Sequence, residues 1–485
     1  MDDLRQIRLD KLEHLEDNCW SQGKYDATGH IEDINFAKKM NQYPDFLEER
    51  KSVWSVIGRI HSKRGGGKIM FLDLVEGSDK IQIFLEKASL ENFDTLKKVL
   101  DNGDIIGVTG WLFVTKQGEL TIHVTDCRLL SKCLIPIPFG KEKDGEHFHG
   151  LEDTDQQYRR RHVHLNVDTD QLELFKSRSL IISHMRGFLG LQGFYEVETP
   201  ILQPLRGGAN AKPFETHYEA VEQDMYLRIA PELYLKRLLV AGFDAIFEIG
   251  KNFRNEGIDT THSPEFTMLE AYQVDRDYID GMDFVERFLW TIASAHGCDD
   301  LLHGKYERIS FMEALRARGF EGNDLESAKQ FAEKNGLEVA KGNHYAQVLD
   351  LIFKKLVVKE TIQATFFYDY PIETSPLAKQ KADDPSIVER FQLVCNGLEL
   401  VNGFSELNDP FEQRKRFEAQ LENARSGDEE AMPLDEDFLE ALEMGMPPAV
   451  GFGIGIDRLV MVLKGSESIR DVILFPTLKK ENNDE

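Results

Sequence analysis

Two runs between Phe247 and Tyr272, within FEIGKNFRNEGIDTTHSPEFTMLEAY, lay charged, amide and aromatic side chains at the alternation of β-strands joined by one loop. Alternation places Glu248, Asn252, Arg254 and Glu256 on one side of the first strand and Phe247, Ile249 and Phe253 on the other. In the second run Phe266, Met268, Glu270 and Tyr272 share a side. A hairpin with a solvated polar face accounts for such a pattern in an anonymous strand pair. An acid and a phenol two residues apart on an otherwise apolar surface also suit an amine ligand. Near the C-terminus, GFGIGIDRLVMVL (residues 451–463) sets spaced glycines ahead of Asp457, Arg458 and an apolar run of helical spacing. That order predicts a guanidinium at a helix start, free to fork onto phosphate oxygens, with glycines that let backbone approach a ligand. Alone, this glycine run is a weak signal.

A chain of 485 residues predicts two or more domains. With 58 basic and 85 acidic residues the net charge is −27, which argues against non-specific coating of nucleic acid. RNA binding then requires local positive charge. Candidates are Arg59, Lys63, Arg64 and Lys68, and the run Tyr158 to His162, each with a plain solvated face as its alternative. Cys19, Cys127, Cys133, Cys298 and Cys395 form no CxxC pair and read as reduced, buried thiols. The charged N-terminus has neither a signal-peptide core nor a transit-peptide composition, and no apolar run approaches membrane-spanning length. A cytoplasmic protein with no membrane association is expected.

Residues 1–48 read as one helix with an irregular lead-in ending near Tyr43 and Pro44. Residues 49–135 carry five strand-like runs with a helix, ASLENFDTLKKVL, after the third, the order of an OB barrel. The stretch Arg64 to Lys68, RGGGK, lacks phosphate-loop spacing and reads as a hairpin tip. A Pro/Gly- and charge-rich linker fills 136–165. Residues 166–485 form a second domain, opening with a helix capped by Asp168 or Thr169, with apolar Phe175, Ile181, Ile182, Met185, Phe188 and Leu189. Gly193 ends it, and a strand FYEVET runs into Pro200. About 276–360 the pattern is short helices; strands then resume. Asn396-Gly397 suits a two-residue hairpin turn pairing Val394 with Glu399 and Gln392 with Val401. Asn402, Phe404 and Glu406 then join Glu399 on one face only if a bulge lies between Glu399 and Asn402.

In combination these motifs resemble class II aminoacyl-tRNA synthetases. FRNEG…HSPEFTMLEAY looks like motif 2, GIGIDR like motif 3, and GFYEVETPIL, with Pro200, like motif 1. PELYLKR (231–237), RGGANAKPF (206–214), SPLAK (375–379) and NGFSELNDP (402–410) are similar to the lysyl-tRNA synthetase family, over roughly residues 50–480. The resemblance implies an α+β chain, an N-terminal OB-fold β-barrel that reads the anticodon followed by a class II catalytic domain with an antiparallel β-sheet flanked by helices. It further implies a helical insertion at about 276–360 and a homodimer formed through motif 1. The implied activity is lysyl-adenylate formation from L-lysine and ATP, with Mg2+, and transfer to the 3′ end of tRNA(Lys).

Carried over position by position, the resemblance implies that Arg254 contacts the α-phosphate and the amino-acid carboxylate, and Arg458 the γ-phosphate. Glu256, His262 and Phe266 hold the ATP base and phosphates, and Glu399 is a Mg2+ ligand. Gly208, Glu232 and Glu270 meet the α-amino group, Asn402 the carboxylate, Glu406 and Tyr272 the ε-ammonium, and Phe404 the aliphatic stem. Phe71 and Gln82 read the anticodon with Arg59 and Glu119 beside them, although Phe71 as an ordinary core aromatic stays open. Gln392 stands where the family carries a second metal-binding glutamate, so its carbonyl would serve as a weaker Mg2+ ligand. RHVHL (161–165) also departs from the family's more acidic version. Two other readings were weighed. One is a relative that transfers lysine to a protein, expected to lack the barrel; the other is a tRNA-binding regulator with a weakened site, motivated by Gln392.

Overall fold

The computed structural model describes residues 2–15, 24–39, 53–143, 146–148, 150–209, 211–297, 299–340, 342–425 and 432–480. They form two compact units, Met1–Leu174 and Phe175–Glu485.

In the first unit, five strands close into a barrel: β1 (Val53–Gly65), β2 (Ile69–Glu76), β3 (Asp79–Glu86), β4 (Ile105–Val114) and β5 (Leu120–Ser131), in the order β1-β2-β3-β5-β4. Each strand alternates, so Ile81, Ile83 and Leu85 of β3 enter the core while Gln82 and Phe84 stay half-exposed on the outer face. Helix α1 (Phe93–Val99) follows β3, as the sequence predicts, and buries Phe93, Leu96 and Val99 in the same core. RGGGK is the β1–β2 hairpin tip. The N-terminal extension differs from the single helix expected. Two helices, Asp2–Asp10 and Ile31–Lys39, are present among the described residues, and the second drives Ile31 and Ile34 into the barrel core. Tyr43 and Pro44 lie outside the described residues. The connector is also more ordered than its composition suggests, with a hairpin of β6 (Lys141–Lys143) and β7 (Glu146–Phe148) and helices Thr154–Arg159 and Arg161–Val167.

The second unit is built on an eight-stranded sheet. Its strands are β8 (Tyr195–Glu196), β12 (Ala245–Phe253), β13 (Glu265–Val274), β14 (Glu307–Ser310), β15 (Thr365–Pro371), β16 (Ile387–Cys395), β17 (Leu398–Ser405) and β18 (Ala449–Gly455). Strands β9 (Leu202–Gln203), β10 (Phe214–Tyr218) and β11 (Gln223–Leu227) make a separate small sheet. The large sheet runs β14-β15-β16-β17-β18-β13-β12-β8. It is antiparallel through its centre, as expected, and both edge pairs, β14 with β15 and β12 with β8, are parallel, which makes the whole sheet mixed. β8 is shorter than FYEVET suggested, because beyond Glu196 only the Val197 amide still reaches the neighbouring strand, at Phe247.

Helix α2 (Thr169–Leu191) is capped by Asp168, whose carboxylate accepts from the Gln171 amide, and buries Phe175, Ile181, Met185 and Leu189. Helix α3 (Glu232–Val240) follows Pro231 of PELYLKR, and α4 (Tyr278–Ala295) starts at an Asp277 capping box. The insertion packs helices Phe311–Ala317, Leu325–Lys334 and Tyr345–Ile352 into a core shared with Phe367 and Tyr370 of β15 and Val388 and Val394 of β16, but β14 interrupts the helical run that its sequence pattern suggested. Helix α5 (Ile456–Lys464) buries Ile456, Leu459, Val460, Met461, Val462 and Leu463. At about 1.5–3 kcal/mol for each large aliphatic side chain, that burial fixes where its first turn points.

Among the described residues Cys127 and Cys395 are buried free thiols and Cys133 is half-buried, less enclosed than expected; Cys19 and Cys298 lie outside them. No described helix is long and apolar enough to cross a membrane.

Candidate active site

Pairing registers set the site out in rows across five strands. One row is Glu248, Glu270, Gly453, Asn402 and Gln392; the next is Ile246, Tyr272, Gly451, Phe404 and Arg390. Residues opposite one another share a face, so the acid and phenol of β13 and the polar end of β17 meet over a floor of β18 glycines. Those glycines are required by crowding. A methyl at Gly451 would run into Glu406 Oε1 and the Tyr272 ring, and one at Gly453 would lie 2.9 Å from Met268 Cε. Phe452 and Ile454, on the opposite face, are core.

The bulge needed between Glu399 and Asn402 is present. The β16–β17 register shifts between Leu393 and Val394, leaving Leu400 unopposed. Glu399 therefore faces Val394 as predicted, but Gln392 faces Asn402, not Val401. The turn residues Asn396 and Gly397 both have positive φ, 51° and 71°.

Three carboxylates, Glu232, Glu270 and Glu406, are buried together. Tyr272 Oη donates to Glu270 Oε2 at 3.1 Å. Gly208, at φ 84°, lies against α3, where a Cβ would sit 3.0 Å from that of Glu232. Burial pushes the Glu270 carboxyl up to about 8, and the neighbouring Glu232 adds to the shift. It also raises Glu406 and Glu232, against the pull of one ammonium, Lys236. Lys236 lies on α3 with its Nζ 2.6 Å from Glu232 Oε1, in ion-pair contact with Glu406 Oε2, and 5.2 Å above the Phe404 ring. Glu406 is therefore paired within the protein itself, by Lys236. Sequence reading missed Lys236, although Glu232 and Lys236 at i,i+4 on one helix was the available signal.

At the other end, Arg254 and Glu256 lie in the loop beyond β12, not on its strand face as the alternation suggested, because β12 ends at Phe253. The Arg254 guanidinium sits 5.2 Å from the Phe266 ring centroid, and its buried Nε has no hydrogen-bond partner among the described residues. Burial lowers its pKa, while Glu256, Glu270 and Glu399 act in the opposite direction. Arg458 stands in the first turn of α5, as predicted. It donates to the Glu399 carbonyl at 3.1 Å and lies 3.0 Å from His262 Nε2, so motifs 2 and 3 meet there. Asp457 locks that helix start by accepting from the Thr267 amide at 2.7 Å and pairing with Arg178 at 2.7 Å. Glu248 is not free, since Thr199 and Arg228 occupy its carboxylate. Asn402 Oδ1 accepts from Arg390 Nε at 2.8 Å, which leaves its amide N–H groups for a ligand.

Gln392 does not fit the role of a carbonyl ligand. Its Oε1 accepts from Tyr370 Oη at 2.8 Å, while its Nε2 lies 3.1 Å from Glu399 Oε2. A carboxylate can only accept, so the amide nitrogen must face Glu399, and Gln392 orients that carboxylate instead. Among the described residues no three His, Cys, Asp or Glu side chains gather as a metal site. Glu399 alone suits a Mg2+ ion held chiefly by phosphate oxygens and water.

On the barrel, the register brings Phe71, Phe84 and His123 into one line and Asp73, Gln82 and Thr121 into the next. Phe71 is half-exposed, not core, with its ring 4.9 Å from Phe84. His123 stacks on Trp111 at 4.6 Å, giving an aromatic surface of which sequence reading named only Phe71. Gln82 donates to Thr121 and accepts from Arg64. Arg59 instead donates to the Gly103 carbonyl, and Glu119 is exposed in the β4–β5 turn. The basic candidates are largely spent. Lys63 caps the C-terminal carbonyls of α1 at Lys97 and Leu100, Arg64 pairs with Asp73, and Arg161 is buried beside His164; Lys68 remains exposed.

Residues 153–479 match the family of class II tRNA synthetases (D, K and N), and residues 54–130 match the OB-fold nucleic acid binding domain. With the motif 2 and motif 3 geometry above, fold and site define a class II aminoacyl-tRNA synthetase. A lysine–tRNA ligase of Pelotomaculum thermopropionicum is 43% identical over 99% of this chain and 95% of its own length. Lysine–tRNA ligase 2 of Methanosarcina acetivorans is 45% identical over 91% and 88%, and a lysine–tRNA ligase of Thermoanaerobacter pseudethanolicus is 43% identical over 100% and 97%. The chain belongs to the lysine–tRNA ligase family.

Proposed function

We propose that this ligase activates L-lysine with ATP and esterifies it to tRNA(Lys), with the roles divided along the rows described above. The observation that carries the reading is a buried pocket of three carboxylates beside an arginine with an unused donor. The carboxylates take the two ammonium groups: Glu232, Glu270 and the backbone at Gly208 hold the α-amino group, and Glu406 beside Tyr272 holds the ε-ammonium. Phe404 lines the stem. Asn402 N–H and Arg254 take the substrate carboxylate.

Arg254 also receives the α-phosphate, so it brings together two groups of like charge for in-line attack and release of pyrophosphate. No general base is needed, because the attacking carboxylate is already ionised. Phe266 stacks on the adenine, Glu256 and His262 meet the base and phosphates, and Arg458 takes the γ-phosphate. Glu399, oriented by Gln392, would hold Mg2+, which when bound neutralises phosphate charge. In the second step the tRNA 3′-terminal hydroxyl attacks the lysyl carbonyl and AMP leaves.

The lysine pocket titrates in a measurable way. Glu270 must be ionised to hold an ammonium, yet its carboxyl is held up to about 8 in the empty site. Lysine binding is therefore expected to release protons at pH 7, and lysine affinity to weaken as pH falls below about 8. Calorimetry in buffers of different ionisation enthalpy checks this; a binding heat independent of buffer would contradict it.

The barrel face of Phe71, Gln82, Phe84 and His123 is proposed to stack and read anticodon bases, with Arg59 and Glu119 at its margin. Stacking on one aromatic ring contributes roughly 1–3 kcal/mol. Phe71→Ala is thus expected to raise the KM for tRNA by about 10-fold or more in lysylation and to leave pyrophosphate exchange unchanged. Equal losses in both assays would refute this division of labour.

A homodimer through motif 1 is also proposed, supported by exposed Leu180, Leu191, Tyr195 and Phe243 on or near α2 and β8. We place the enzyme in the cytoplasm, where its tRNA substrate is used.

A further inference from the structure

Lys236 has no part in the reaction as described, yet it is the most completely enclosed cation of the lysine pocket, with a relative exposure of 0%. Its ammonium bridges Glu232 on its own helix and Glu406 beyond the end of β17, and Phe404 covers it. Glu406 Oε1, the carboxylate oxygen next to Gly451, has no hydrogen-bond partner among the described residues. One oxygen of Glu406 is thus held from behind, and the other is left as an acceptor.

We propose that Lys236 is a positioning and specificity-determining residue, a resident counter-ion that sets the charge of the lysine pocket to match a substrate carrying two ammonium groups. In the lysine-bound pocket Glu232, Glu270 and Glu406 supply three negative charges and Lys236 one positive. The remaining deficit of two equals the α-amino and ε-ammonium charges of lysine. Other charged groups nearby are already answered. Arg228 is paired with Glu248, Arg254 faces the substrate carboxylate, and Arg390 is bound to Asn402, Ser375 and the Thr374 carbonyl while its field reaches Glu232. Tyr272 stays a neutral donor to Glu270.

Without Lys236, three buried carboxylates would face one another with no internal cation, and a further proton, beyond the one already favoured on Glu270, would be taken up in its place. Lysine would then bind only by displacing that proton. With Lys236 present, Glu406 Oε2 is held in an ion pair and Oε1 stays aimed while the site is empty, so little must rearrange for an ammonium to enter. This inference rests on the lysine-pocket reading, which exchange by the parent enzyme tests separately.

The experiment compares lysine-dependent ATP–pyrophosphate exchange for the parent, Lys236→Met and the double variant Glu232→Gln/Lys236→Met from pH 6 to 9, with KM for lysine and for ATP measured apart. Lys236→Met is expected to raise the lysine KM by about 10²-fold at pH 7, with the ATP KM held within about twofold, and to move the acidic limb of the lysine profile toward higher pH. The double variant restores the net charge and is expected to return the acidic limb to the parent position, while its lysine KM stays raised because Glu232 also holds the α-amino group. A Lys236→Met enzyme with the parent's lysine KM and limb would overturn the proposal. So would a double variant whose acidic limb stays as displaced as that of Lys236→Met, because a purely structural anchor predicts no return of the limb. If Lys236→Met does not fold, a folded double variant with the parent's limb supports the proposal and one with a displaced limb overturns it.

Discussion

Replacing Arg254 with alanine is expected to lower lysine-dependent pyrophosphate exchange by at least about 10³-fold, while the barrel's affinity for tRNA is unchanged. The size follows from where the guanidinium sits. It lies 5.2 Å from the Phe266 ring centroid, with a buried Nε that has no acceptor among the described residues and with Glu256, Glu270 and Glu399 acting on it through their charge. A donor held this way is already oriented before substrate arrives and costs little to reorganise. On the proposed reading it serves the charge that builds on the α-phosphate, so its loss should fall on kcat as well as on KM. Arg254→Lys should recover little, because an ammonium cannot fork onto carboxylate and phosphate together. Single-turnover adenylate formation measures the effect directly; a loss below about 10-fold would remove Arg254 from the chemical step.

The second large effect is expected at Glu406. Glu406→Gln removes the charge facing the ε-ammonium and strips Lys236 of one of its two partners. Breaking one side of a buried charged pair costs about 3–5 kcal/mol, or roughly 10²–10³-fold in lysine KM. Lys236 keeps Glu232, so the folded state should lose less than the substrate does. Thermal melting beside steady-state kinetics separates the two. A variant that loses stability but binds lysine normally would show that Glu406 serves the fold and not the substrate.

Much of the site was legible because its chemistry is local in sequence. Alternation put Glu270 with Tyr272, the glycine spacing put Arg458 in the first turn of a helix, and the Asn396-Gly397 turn required a bulge that the structure places at Leu400. What alternation could not show is where a strand stops. Arg254 and Glu256 read as strand residues, but β12 ends at Phe253 and the Asn255 amide bonds the Lys212 carbonyl instead.

Pairings between distant segments were the other blind spot. Lys236 meets Glu406, far along the chain, only when α3 packs beside the end of β17, and no local pattern announces that contact. His123 and Trp111 join Phe71 only through the barrel's register. A run of basic residues likewise does not say which way each points. Arg161 turns inward, and Lys63 is spent on helix carbonyls. Gln392 reads by its type as a weak metal ligand; its partners Tyr370 and Glu399 make it the residue that orients the Glu399 carboxylate.

The most direct test of the account is ATP–pyrophosphate exchange with Mg2+, run on the full chain against each of the twenty amino acids. A pocket of three buried carboxylates answered by one internal lysine predicts exchange with L-lysine alone. Exchange supported by another amino acid to a similar extent, or none with lysine by a folded protein, would contradict it.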